Sequence, residues 1–350
     1  MTHLRLAAAG LAVLVFVAGG CSARLDEGPG VTPKTTTIVP NVAADGEPPA
    51  QPTPSPAPSP SPVQSPAPKP SPAPRPGPNE TDGPWNRDLQ AAFSNDGLAF
   101  GEASPFIERA GVPCVIRDSG GRLVAVFQWF PFDDEAAFDK VAVAFSTDAG
   151  ATWTAPTRMV FSGLPANLMR PFDPTVVQLA DGRYRLYFTS NELGGAGRPG
   201  IYSAISVDAV NYTFEPGVRF APAGGTVDAA VVWFAGAWHL FSHTSQANTG
   251  KGYHAVSADG LAFTEQPQVD AGVGRQWIGN AVVSGGVLRY YGSGRDGIWS
   301  ATSTDGATWT LDGGSRVKGG DASGVILADG RTMLVFVGEL RADAGPRPVP

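Results

Sequence analysis

The chain has 350 residues, a formal net charge of −7 and only 16% charged side chains, with 44 glycines and 33 prolines. The negative balance excludes the basic stripe of a nucleic-acid surface. The glycine and proline content, with no long apolar run of 3.6-residue period after residue 20, excludes a helical architecture.

At the N-terminus, Arg5 precedes an apolar run from Leu6 to Val17, followed by Ala18-Gly19-Gly20-Cys21. Residues 1–20 read as a signal peptide, too short to span a bilayer. Small residues immediately before a cysteine resemble the lipobox of bacterial lipoproteins. That resemblance implies lipidation at Cys21 and an exported protein anchored by lipid at the bacterial cell envelope, on its extracytoplasmic side. The plain alternative is a secretory signal with Cys21 incidental. Cys114 is the other cysteine and sits in an apolar context, Val-Pro-Cys-Val-Ile, expected in a core.

Residues 21–84 read as a tether, with a proline-rich stalk over 48–78. Such a composition cannot bury a core and favours extended polyproline conformations. At about 3.1 Å per residue the stalk reaches roughly 100 Å.

From Trp85 onward two units alternate. A Ser-x-Asp pattern followed by an aromatic begins at Ser94, Ser146, Ser206, Ser257 and Ser303, at spacings of 52, 60, 51 and 46 residues. Between these lie five apolar hairpins, opening near Val112, Asp173, Asp228, Asn280 and Asp321; the pentapeptide Leu-Ala-Asp-Gly-Arg recurs at 179–183 and 327–331. Asp-Gly between apolar runs is a hairpin signal, and a repeat of this length marks stacked or radial units. The hairpin supplies strands one and two of a blade. The strand ending in Ser-x-Asp supplies the third, and the aromatic opens the fourth. The first Ser-x-Asp copy has no hairpin before it, and the last hairpin has no Ser-x-Asp copy after it. The two halves therefore complete one blade. The expected fold is all-β: a five-bladed β-propeller over 85–341, closed by both termini, with a tail at 342–350.

Ser146, Asp148, Gly150 and Trp153 together resemble the Asp-box, or BNR repeat, of sialidase-like propellers. The other copies are one residue shorter or carry Phe100, Tyr212 or Phe263 in place of Trp, and the third lacks the glycine. The resemblance implies a scaffold turn on the side away from the ligand. Short hairpin turns share that side, so the longer loops and the first residues of the inner strands share the other.

Those first residues are Val112, Asp173, Asp228, Gly279 and Asp321. Three carboxylates converging from different blades suit glycoside hydrolysis, which needs one acid and one base or nucleophile. The placement, with Phe172-Asp173-Pro174, resembles five-bladed glycosidases of the arabinanase and β-xylosidase kind. It implies Asp173, Asp228 and Asp321 as catalytic candidates. That family carries a Glu as acid on an inner strand, and no slot here holds Glu. Arg170, Glu192, His243, Gln276, Trp277, Arg295 and Glu339 are the expected substrate-binding set: cations and amides for sugar hydroxyls or a carboxylate, Trp277 for stacking on a ring. In a second reading the three aspartates bond backbone N–H groups of neighbouring blades and stiffen the centre of a non-catalytic glycan- or protein-binding propeller. A third is a sialidase-like protein without the full arginine triad, since Gly111 stands where the motif places an arginine before Pro113. His239 and His254 are expected in packed positions. No spacing suits a metal, and no cofactor is expected. The partner is a carbohydrate or cell-surface glycan; whether the chain is an enzyme is left open.

Overall fold

The structure, a computed structural model, describes residues 83–193, 197–244, 246 and 248–346. The expected signal segment, Cys21 and the proline-rich stalk lie outside the described residues. After a 3-10 turn at Pro84–Asn86, β1 (Arg87–Ser94) and β2 (Ser104–Ile107) form the outer half of a sheet. The first complete sheet is β3 (Ala110–Arg117), β4 (Leu123–Trp129), β5 (Lys140–Ser146) and β6 (Thr157–Arg158). The second combines β7 (Val160–Ser162) with β8 (Phe172–Gln178), β9 (Tyr184–Ser190), β10 (Gly200–Ser206) and β11 (Asn211–Phe220). The third holds β12 (Ala230–Phe234), β13 (Ala237–His243), β14 (Lys251–Ser257) and β15 (Thr264–Asp270). The fourth holds β16 (Arg275–Ser284), β17 (Val287–Gly294), β18 (Trp299–Ser303) and β19 (Thr310–Leu311). Finally β20 (Gly320–Ile326) and β21 (Thr332–Leu340) join the N-terminal pair in the order β2-β1-β21-β20. The fold is a five-bladed β-propeller.

The burial pattern follows from this arrangement. Second and third strands are covered on both faces by neighbouring blades, so β4 and β9 are buried almost throughout, in β9 even at Arg185, Thr189 and Ser190. Fourth strands face solvent, and β6 and β19 are exposed. The second sheet departs from the four-strand expectation: β7 pairs in parallel with the outer edge of β11, Asn211 opposite Val160. The longest spacing between Ser-x-Asp copies supplies this strand, which covers an otherwise open edge.

Closure is antiparallel pairing of β1 with β21, from Arg87 opposite Leu340 to Ser94 opposite Thr332. One apolar cluster carries Leu89, Met333 and Val335 from the closing sheet together with Val115, Phe127 and Ala142 from the first. A polar clasp reinforces it. Trp85 Nε1 and Asn86 Nδ2 donate to the Gly345 carbonyl at 3.3 and 2.6 Å, and the Arg341 guanidinium joins Asp88 to Asp343.

All five Ser-x-Asp segments form the same hydrogen-bonded turn. The serine hydroxyl donates to the aspartate at 2.8–3.0 Å and accepts an N–H from a left-handed residue: Gly97, Gly150, Ala209, Gly260 or Gly306. Backbone N–H groups two and three residues on hold Asp96, Asp259 and Asp305 ionised, each at a pKa of about 2. These turns lie on the face where the inner hairpins also turn, hereafter the turn face. Tyr187 and Tyr291 in second strands donate to the carbonyls of Gly260 and Gly97, each in the Ser-x-Asp turn of another sheet. The aspartates therefore serve blade-to-blade packing. Cys114, His239 and His254 are buried, the two imidazoles 3.0 Å apart.

Candidate functional site

The five slots aligned in the sequence are equivalent in the structure, and they share an unexpected backbone. Val112, Asp173, Asp228 and Asp321 have φ of 50°, 49°, 55° and 51°, and Gly279 has φ 138°. A β-branched residue at positive φ is a true outlier, and aspartate tolerates it better. At four slots the inner-strand register jumps: between Gly111 and Cys114, Phe172 and Thr175, Gln276 and Gly279, and Gly320 and Ser323. Four of the five inner strands therefore begin with a bulge, a device that re-aims one side chain, while Asp228 stands in the left-handed region just ahead of β12, which pairs without a register shift. The shared left-handed backbone brings the three aspartates into one electrostatic group on the entry face, opposite the turns.

Their environments are hostile to charge. Burial is the main cause that lifts Asp173 to a pKa of about 6, offset in part by the nearby Thr189 hydroxyl, Arg170 and the Asp228 N–H. Burial, then the charge of Asp173, pushes Asp321 to about 8, with the Val112 N–H pulling the other way. Asp228 is raised well above the usual carboxylate range by burial and then by Asp321 and Asp173. Asp173 and Asp321 keep some surface exposure while Asp228 is buried, so the desolvation comes from the crowded surroundings and not from complete enclosure. None of the ion pairs among the described residues includes any of the three. Neighbouring-blade N–H groups do approach two of the carboxylates, but they do not offset the desolvation.

Around this group lie residues the sequence did not single out. Gln128 Nε2 donates to Asp139 Oδ1 at 2.9 Å, and Asp139 pairs with Arg170 beside Asp173. The Thr189 hydroxyl accepts the Asp228 N–H at 3.0 Å, and the Ser293 hydroxyl accepts that of Asp321 at 2.7 Å. The Tyr290 hydroxyl, buried below, donates to the Gly279 carbonyl at 3.1 Å; burial first, then Asp228 and Asp321, raise its pKa well above normal.

The expected binding residues divide. Arg170 stands beside Asp173, its guanidinium 5.7 Å from the Phe172 ring centre. Glu339 is exposed and lines a cleft of about 480 Å³ with Asp321, Val112 and Pro84. Gln276 donates to Asn248 Oδ1 at 3.0 Å. His243 is half-buried; burial lowers its pKa, and its Nδ1 has no partner among the described residues. Arg295 is exposed and lines a different cleft of about 340 Å³ with Arg275 and Asp296. Glu192 is exposed at the end of β9, near Tyr202 rather than the aspartates.

Trp277 corrects the expectation. It is 0% exposed, with Nε1 donating to the Gly250 carbonyl at 3.0 Å and its rings packed among Phe241, Tyr290, Trp299 and Trp309. The bulge at 276–279 breaks strand alternation and turns this side chain into the sheet interface, against Gly252, where a Cβ would come within 2.4 Å of the indole. It cannot stack on a sugar there. Replacing Trp277 by Ala is expected to cost about 3–5 kcal/mol of stability. Parent-like thermal melting combined with lost glycan binding would refute its core role.

Comparison with known proteins is decisive for the fold alone. No family model and no curated protein matches the sequence. A family 117 glycoside hydrolase from the marine bacterium Zobellia galactanivorans is similar in structure at 14% identity, with a TM-score of 0.50 covering 75% of this chain and 93% of that one. An α-L-arabinofuranosidase from Lactobacillus brevis follows at 15% identity and TM-score 0.47, covering 69% and 95%. A Hadza microbial sialidase has 15% identity and TM-score 0.47, covering 72% and 59%. The fold resembles that of the family 117 glycoside hydrolase; at such identity the likeness says nothing about which residues react.

Proposed function

We propose that this propeller is a glycoside hydrolase whose central funnel is lined by Asp173, Asp228 and Asp321. The observation that carries the reading is the desolvated grouping of three carboxyls at the inner-strand starts, none of them in an ion pair among the described residues, with pKa values spread apart. At neutral pH, Asp173 at about 6 is mostly ionised and suits a base or nucleophile; Asp321 at about 8 is mostly protonated and suits the proton donor. A pair of groups pushed apart by environment is how one site holds acid and base together. Asp321 thus fills the role for which the sequence offers no glutamate. The cleft shared by Asp321 and Glu339 gives a glycan access to the donor. Structural neighbours that act on carbohydrate support the substrate class, and the Arg170–Asp139 pair suits binding of sugar hydroxyls. On the same reading the chain is a lipoprotein, held by Cys21 outside the cytoplasm on its proline-rich stalk.

The purified protein should cleave at least one member of a panel of arabinan, xylan, sialosides and cell-wall glycans. Asp173→Asn should then lower turnover by roughly 10²–10⁴-fold, the usual reach of general acid–base catalysis, without loss of folding. A panel left intact, with Asn variants that bind glycans as the parent does, returns the protein to the binding-propeller reading. The approach of the Asp228 and Val112 N–H groups to Asp173 and Asp321 favours that second reading. The sialidase-like reading has less support, because Arg109, the arginine two positions before Gly111, is engaged elsewhere: it donates to the Trp85 carbonyl and pairs with Asp343, both at 2.9 Å.

A further inference from the structure

One cavity of the propeller is lined by none of the three aspartates. It runs along the axis from the turn face, about 700 Å³ in volume, within the range of small-ligand pockets. Its walls are the apolar side chains of Val115, Val177 and Val231, and its floor is polar, with Asn280 and Ser323. At the mouth stand Trp233 and Arg117. Trp233 is 50% exposed, far more than a large aromatic needs to be in a tight hairpin. It is held edge-on against Trp238, ring centres 5.4 Å apart, and lines both this cavity and an adjoining cleft of about 630 Å³. Arg117 is exposed and has no ion-pair partner among the described residues, whereas Arg122, Arg183 and Arg331 on the same face each pair with an aspartate of their own turn. The mouth is pre-organised: Gln178 accepts the Ser119 N–H at 2.6 Å and donates to the Gly182 carbonyl at 3.1 Å.

We propose that this turn-face cavity is a second ligand site, for an acidic sugar, with the pyranose ring stacked on Trp233 and its carboxylate paired with Arg117. A fixed, exposed indole is suited to the C–H face of a sugar, and a free guanidinium forks onto a carboxylate. A neutral apolar ligand would leave Arg117 unused, and a cation would be repelled by it.

The test is calorimetric titration of the full chain with α-1,4-linked trigalacturonate, using uncharged maltotriose as control. Trigalacturonate should bind and maltotriose should not. Trp233→Ala and Arg117→Gln should each weaken binding by roughly tenfold, the equivalent of about 1.4 kcal/mol, while Asp321→Asn binds as the parent does. Arg117 is exposed, so its variant keeps the test valid should Trp233→Ala misfold. The proposal is overturned by absent trigalacturonate binding, by equal binding of maltotriose, by parent-like affinity in Arg117→Gln, or by loss of binding in Asp321→Asn, which would move the site to the funnel.

Discussion

Deleting residues 86–107 should leave a chain that does not fold, although the segment sits at one edge of the propeller. The deletion removes β1 and β2 and with them Leu89 and Ala92, both fully buried. It also uncovers Met333, Leu334, Val335 and Phe336 along β21, each at most 2% exposed in the intact ring. Burying one such large side chain is worth roughly 1.5–3 kcal/mol, so the combined loss, on the order of 10 kcal/mol, matches the whole stability of a typical domain. The unpaired β21 edge is then a template for aggregation. Removing 342–350 should cost far less, since it spares every strand. Circular dichroism and calorimetry of the two truncations decide the matter: a single cooperative transition at the parent temperature after loss of 86–107 would show that the ring does not depend on this closure.

Architecture was legible because its determinants are local. A serine, an aspartate two residues on and a residue able to take positive φ specify a turn without reference to the rest of the chain, and Asp-Gly hairpins behave alike. The half-units at the two ends then implied closure. The second sheet's extra strand, β7, was not legible, because three residues pairing in parallel carry no periodic signal. Within the site, the five inner-strand starts were found by alignment on the apolar runs that follow them. Their left-handed backbone was not, since nothing in the local sequence calls for positive φ at Val112. That omission misplaced Trp277, whose side chain follows the bulge into the interface. Asp139 was missed for another reason: it lies in a loop with Asp133, Asp134 and Glu135, and only the fold distinguishes it by setting Arg170 against it.

Asp321→Asn should raise the melting temperature while abolishing turnover, and the combination separates a catalytic carboxyl from a structural one. The folded state holds Asp321 at a pKa of about 8 against a usual value of 3.8. A raised carboxyl pKa means the folded state binds the proton more tightly than the unfolded state, so stability rises as pH falls from about 8 toward 4 and is lost as pH rises through that window. At pH 7 the penalty for keeping this group protonated is on the order of 4 kcal/mol, and interaction with Asp173 and Asp228 spreads it across the trio. Asparagine keeps the shape and an acceptor for the Val112 N–H, and it removes the ionisable group. A gain of about 2 kcal/mol is the reasonable share, or roughly 4–8 °C in Tm for a domain of this size. The same variant should flatten the rise in stability of the parent between pH 8 and pH 5. Turnover should fall by roughly 10²–10⁴-fold, because the amide cannot donate the proton a leaving sugar oxygen needs. If the carboxylate instead exists to tie Val112 to the neighbouring blade, the charge-assisted contact is lost with nothing regained. Tm then drops and glycan affinity declines only as the protein unfolds. Thermal melts at pH 5 and pH 8, run beside a turnover assay on the cleaved glycan, place Asp321 in one class or the other: a lower Tm with activity retained removes it from the catalytic machinery.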